Sequence, residues 1–168
     1  MFRKGEQIVY GSTGVCRVEA IGTPPGIPGT EQYYTLVPVF GTGTIYIPVD
    51  SPVFMRRVLT HRQVDELIER FPTISEESCG GRDMRTLSEF YRSLMQTHQC
   101  EDLVHVMKAL YTKSRALARQ GKRLGSMEEQ YKKRAEELLY GEFAVALDIP
   151  YQEVEPYITR RLERLKKA

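Results

Sequence analysis

Two hydrophobic periods divide this chain. Up to Thr60, apolar residues come in short alternating runs; beyond it they recur every three or four positions. The first part reads as five strands, near 6–10, 14–21, 32–40, 43–49 and 54–58. Gly5 and Gly14 bracket the first strand, and Phe40-Gly41-Thr42-Gly43-Thr44 makes a hairpin turn before the fourth. The stretch 22–29 holds three prolines and three glycines, which excludes regular structure there. Pro38 and Pro48 fall inside apparent strands. Proline cannot donate to a ladder, so each belongs at an edge, a bulge or a strand end. The pattern describes a small, strongly bent β-barrel.

From Thr60 the period is helical. Thr60-His-Arg-Gln63 reads as a capping box for a helix over about 61–71, with Val64, Leu67, Ile68 and Phe71 inward. Pro72 stops it, and 72–81 is a linker rich in Ser, Glu and Gly. Met84, Leu87, Phe90, Tyr91, Leu94 and Met95 form one apolar stripe. Leu103, Val106, Met107, Leu110 and Tyr111 form a second. Ser126-Met-Glu-Glu129 reads as another capping box, opening a helix with Tyr131, Ala135, Leu138, Leu139 and Phe143 inward. Asp148-Ile-Pro150 starts a last segment, with a break expected near 155 because Pro156 lies too deep for one helix from 150. Short links between helices argue for an antiparallel bundle.

Composition narrows the class. The apolar share of 41% in 168 residues supports one ordinary core or two small ones. No apolar run approaches the length of a membrane span, and no charged segment followed by an apolar one marks a secretory signal. Cys16, Cys79 and Cys100 are an odd number at wide spacing, which fits buried thiols in a reducing cytoplasm. His61, His98 and His105 match no common zinc spacing. Neither a phosphate-binding loop nor a Gly-x-Ser-x-Gly turn is present, so no enzyme, cofactor or metal is expected.

Three short motifs fall in order within the first 50 residues. They are Phe2-Arg3-Lys4-Gly5-Glu6-Gln7-Ile8-Val9-Tyr10, then Gly14-Val15-Cys16-Arg17-Val18-Glu19-Ala20-Ile21, then Ile45-Tyr46-Ile47-Pro48-Val49-Asp50. Together they resemble the polymerase-interacting domain of the CarD/CdnL family of bacterial transcription regulators, which the transcription-repair coupling factor also carries in related form. Leu138-Leu139-Tyr140-Gly141-Glu142-Phe143-Ala144-Val145-Ala146, preceded by Gly125-Ser126-x-x-Glu129, is similar to a helix of the same family. The resemblance covers about residues 2–146. It implies an α+β chain of two domains: a Tudor/SH3-like five-stranded β-barrel at 1–59, then an all-α helical bundle at 60–168, with 60–81 as connecting helix and linker. It further implies that the barrel docks on the RNA polymerase β subunit, through its second and fourth strands and the loop after the second. The aligned positions here are Pro24 and Tyr46, where the family often carries arginine. Arg17 is the nearby charge and Ile45 the neighbour on the strand.

Charge supplies the second candidate surface. From Lys108 to Arg134 there are nine basic residues against two acidic ones, a net of +7 in a chain whose total is +2. Arg115, Arg119 and Lys122 share the spacing of one helix face, and Lys122 and Arg123 sit in a loop before a helix start. With Lys132 and Lys133 they form a candidate phosphate-binding surface, against the alternative of a solvated helix face. A second cluster is Arg82-Asp83-Met84-Arg85. The family carries a tryptophan at the corresponding helix start, which wedges into the minor groove at the edge of the transcription bubble. This chain has no tryptophan, and Met84 is aligned there. Methionine can wedge between base steps. The stripe with Leu87 and Tyr91 instead assigns Met84 to the bundle core, and that assignment takes precedence here.

The resulting expectation is a monomeric, cytoplasmic, non-catalytic transcription regulator. Its barrel binds the polymerase β subunit, and its helical domain binds promoter DNA with little sequence preference and tunes open-complex stability. The alternative is a polymerase-independent module whose barrel binds a peptide or another regulator.

Overall fold

The computed structural model describes residues 1–78 and 83–167. The chain divides into two compact units, Met1–Thr60 and His61–Ala168.

The first unit is one antiparallel sheet of five strands: β1 (Gln7–Tyr10), β2 (Gly14–Gly22), β3 (Tyr33–Pro38), β4 (Ile45–Pro48) and β5 (Met55–Arg57). The spatial order is β4-β3-β2-β1-β5, which leaves β4 and β5 as the two edges among the described residues. Gly14 sits at φ +99°, a conformation that side chains with a Cβ resist, and pairs with Tyr10 to close the first hairpin. Alternation along the strands turns Ile8, Cys16, Val18, Tyr34, Leu36 and Ile47 to one face, where they form the core. Burial pushes the Cys16 thiol up to about 11, so it stays protonated at neutral pH. A register shift between Val18 and Ala20 bulges β2 at Glu19. Pro38 and Pro48 are the final residues of β3 and β4, where a missing N–H costs no ladder bond.

The second unit is helical: α1 (His61–Arg70), α2 (Met84–Met95), α3 (Cys100–Ala118), α4 (Ser126–Leu147) and α5 (Val154–Lys167). No helix among the described residues is long and apolar enough to cross a membrane. α1 buries Val64, Leu67 and Ile68. Pro72 falls in a short 3-10 turn, Phe71–Thr73, which ends the α1 path. The last segment begins with a 3-10 turn at Tyr151–Glu153, and α5 then runs unbroken. Pro156 lies in the first turn of α5, where its missing donor is tolerated, so the break falls just before Val154, close to the expected position. Tyr157 donates to Asp65 at 2.5 Å and Arg161 to Glu69 at 2.9 Å, which ties α5 to α1.

Glu128 holds the middle of this unit together. It is buried, yet its Oε2 accepts from the Tyr91 hydroxyl at 2.7 Å and from the Lys113 ammonium at 2.8 Å. The carboxylate therefore joins α2, the later turns of α3 and the first turn of α4. Ser88 and Tyr131 share a further hydrogen bond of 3.3 Å beside it. Deeper in, buried Glu142 accepts from the Cys100 thiol at 3.3 Å.

Three expectations are corrected. Met84 is the first residue of α2 and is 68% exposed, so it is not a core residue. The Asp83 carboxylate caps that helix end, and the buried stripe of α2 starts one turn later, at Leu87. Ser126 is not an N-cap: Gly125 occupies that position without a side-chain bond, and α4 already includes Ser126. Tyr111 is 57% exposed, with the Arg115 guanidinium 5.7 Å from its ring centre.

Glu128→Ala takes the acceptor from the buried Tyr91 hydroxyl, whereas Lys113 can turn to water, so it should cost about 1–3 kcal/mol in urea denaturation. Met84→Ala should change stability by less than about 0.5 kcal/mol, as at other exposed positions.

Candidate functional site

On the first unit, strand parity sorts the candidate residues. Tyr46 pairs with Thr35, and Arg17 with Val37; all four lie on the face opposite the core row of Val18, Leu36 and Ile45. Tyr46 is 50% exposed and lies on an edge strand whose far side carries no partner strand among the described residues. Arg17 is exposed but not unpaired. Its Nε and Nη2 donate to the two Glu19 oxygens at 2.9 and 3.2 Å, a fork that the bulge at Glu19 accommodates. Arg17 in turn holds the Glu19 carboxyl below its usual pKa, through the hydrogen bond and its charge.

The other two candidates do not stand on that face. Ile45 is half-buried and packs against the core cluster, one residue out of phase with Tyr46. Pro24 is buried, in a loop tied by Thr23 Oγ1 to Glu31 O at 2.9 Å. It shapes the loop from within. The outward face thus offers an aromatic ring, a self-neutralised ion pair and small residues, all reached from a free strand edge.

On the second unit, the basic stretch separates into two groups. Lys108 donates to the backbone oxygens of Phe71 and Ile74 at 2.8 and 2.5 Å and so fastens the turn after α1. Lys113 serves Glu128, and Arg134 donates to Glu137 at 3.2 Å. Arg115 lies against Tyr111. Arg119, Lys122, Arg123 and Lys133 are exposed. Lys122 does not share a helix face with Arg115 and Arg119, because α3 ends before it. Gly121, at φ +71°, reverses the chain: its N–H bonds Ala118 O at 3.0 Å, and the Lys122 N–H bonds Leu117 O at 2.9 Å. This closure presents Lys122 and Arg123 on a compact turn between α3 and α4. The cations there also meet the negative end of the α3 dipole. Lys132 is half-buried in the wall of a cleft rather than on this turn.

At the start of α2, Met84 and Arg85 both point to solvent, with Arg85 reaching Glu89 at 3.4 Å. Arg82 lies outside the described residues, as does Cys79. Met84 is one helical turn from Ser88, which touches Tyr131 on α4. Among the described residues, no three His, Cys, Asp or Glu side chains gather in a metal-holding arrangement.

Sequence reasoning missed Glu128 as the organising residue. A signal was present: Glu128, Ala135, Leu139 and Glu142 fall on one stripe of α4, so two carboxylates interrupt an apolar face. Reading Ser126–Glu129 as a cap placed that region at the surface.

Residues 2–59 match the family model of the CarD-like/TRCF RID domain, an RNA polymerase β-interacting domain type. The first unit belongs to this domain family. No curated protein matches the chain.

Proposed function

We propose, from a first unit of the CarD-like/TRCF RID family, that this protein is a non-catalytic transcription regulator that holds the RNA polymerase β subunit with one unit and promoter DNA with the other. Family membership of residues 2–59 is the observation that carries the reading. The sheet acts as the Tudor-like barrel of that family. Its contact surface is the open edge of β4 with Tyr46 outward, joined by the Arg17–Glu19 pair on β2. Edge pairing supplies affinity through main-chain bonds, and the exposed ring supplies specificity. The docking chemistry is aromatic rather than strongly basic, because Glu19 compensates Arg17.

Once docked, the second unit is confined near promoter DNA at high effective concentration. Arg119, Lys122, Arg123 and Lys133 neutralise backbone phosphates and release counterions, which needs no base-specific contact. Met84, exposed beside Arg85 at the start of α2, is the apolar side chain available for a base step opened at the bubble. Binding the open complex better than the closed one shifts the population toward it. The protein acts as a monomer in the cytoplasm.

Two measurements test this reading. Tyr46→Glu in the full chain should abolish binding to a β-subunit lobe fragment in fluorescence anisotropy while leaving the melting curve intact. Retained binding would favour a different face, and no binding by the parent protein would favour a peptide or another regulator as partner. For DNA, each phosphate contact contributes about −0.9 to the slope of log K against log salt. Replacing Lys122 and Arg123 together by alanine should flatten that slope by up to about 2. An unchanged slope would make the turn a solvated surface.

A further inference from the structure

No acidic residue stands between Asp102 and Glu128, a stretch that holds six basic ones. Two carboxylates reach its side chains among the described residues: Glu76, which accepts from Thr112 at 3.4 Å, and Glu128, which takes Lys113. Arg115, Arg119, Lys122 and Arg123 have no carboxylate partner among the described residues. From Tyr111 to the end of α3 no residue is buried. Tyr111, Arg115 and Arg119 fall four residues apart and so share one face of this exposed end. At about 1.5 Å per residue, that face runs for about 12 Å.

One large ring stands on it. Tyr111 is 57% exposed, and the Arg115 guanidinium lies 5.7 Å from its ring centre, within reach of cation–π attraction. Ring and guanidinium are both flat surfaces on which a nucleobase can stack. The uncompensated cations beyond them favour a polyanion. An acidic polypeptide would answer the charge but not the ring. A duplex would answer the charge too, but its bases are already stacked and paired. A single strand offers phosphates and open base faces together.

Given the DNA contact proposed for this unit, on which this step rests, we propose that Tyr111 is a stacking platform for an unpaired base. The exposed end of α3 takes single-stranded DNA, with one base against Tyr111 and Arg115 and neighbouring phosphates on Arg119, Lys122 and Arg123. Every base has a face to stack, so the site is indifferent to sequence. The role is separate from that of Met84, which stands at the start of α2.

The test measures binding of the full chain by fluorescence anisotropy to three labelled probes of equal length: an oligothymidylate, the same strand with abasic sites throughout its middle, and a duplex. The protein should bind the oligothymidylate about tenfold more tightly than the abasic strand, a difference of about 1.4 kcal/mol. Tyr111→Ala should remove that preference, and Tyr111→Phe should keep it. Neither change should alter duplex affinity or the salt slope, because tyrosine carries no phosphate-neutralising charge. Equal binding of the base-bearing and abasic strands by the parent protein would overturn the proposal, whether or not Tyr111→Ala folds. A preference retained in a folded Tyr111→Ala protein would overturn it as well. In both cases duplex binding would leave the broader DNA reading standing, whereas no binding to any of the three probes would overturn the two together.

Discussion

A single buried carboxylate organises the second unit. A charge removed from water costs several kcal/mol unless donors replace the water, and Glu128 receives two, from Tyr91 and Lys113. Each donor sits on a different helix, so the carboxylate is satisfied only when α2, α3 and α4 meet at one place. Apolar packing at Leu110, Ala135 and Leu139 supplies stability but allows many registers. The charged bond permits far fewer. It also consumes Lys113, removing that cation from any surface available to DNA.

The remaining charges follow the same division. Lys108, Lys113 and Arg134 serve the fold, while the turn closed by Gly121 carries Lys122 and Arg123 outward. A count of basic residues along the sequence therefore overstates the surface field. The acids divide too: Glu128 and Glu142 are inside, while Glu136 and Glu155 line a cleft. The cleft balances them with Lys108 and Lys132, so the uncompensated charge of the bundle gathers on the turn after α3.

Much of the fold was legible because its causes are local. Period-two runs, the glycine at position 14 and the proline stops located all five strands to within a few residues. Helical stripes located α1 to α4, and Pro150 and Pro156 marked the last segment. The misses arose where a tertiary contact overrode a local rule. Met84 obeys the spacing of a core stripe, but that stripe continues past the point where the buried part of α2 begins at Leu87. Ile45 and Tyr46 are neighbours in sequence, yet the pleat sends them to opposite faces, so only Tyr46 is available outside. The open β4 edge, too, is visible only once the strand order is known, because nothing in the sequence places β4 at the end of the sheet.

In the proposed function, Tyr46 is the side chain that meets polymerase. The most direct measurement replaces it by p-benzoylphenylalanine, irradiates the full chain with polymerase core enzyme, and identifies the cross-linked peptide by mass spectrometry. The account predicts a cross-link within a β-subunit lobe, competed away by unlabelled protein. A cross-link to another subunit, or none while the same probe at Arg17 labels the β subunit, would contradict it.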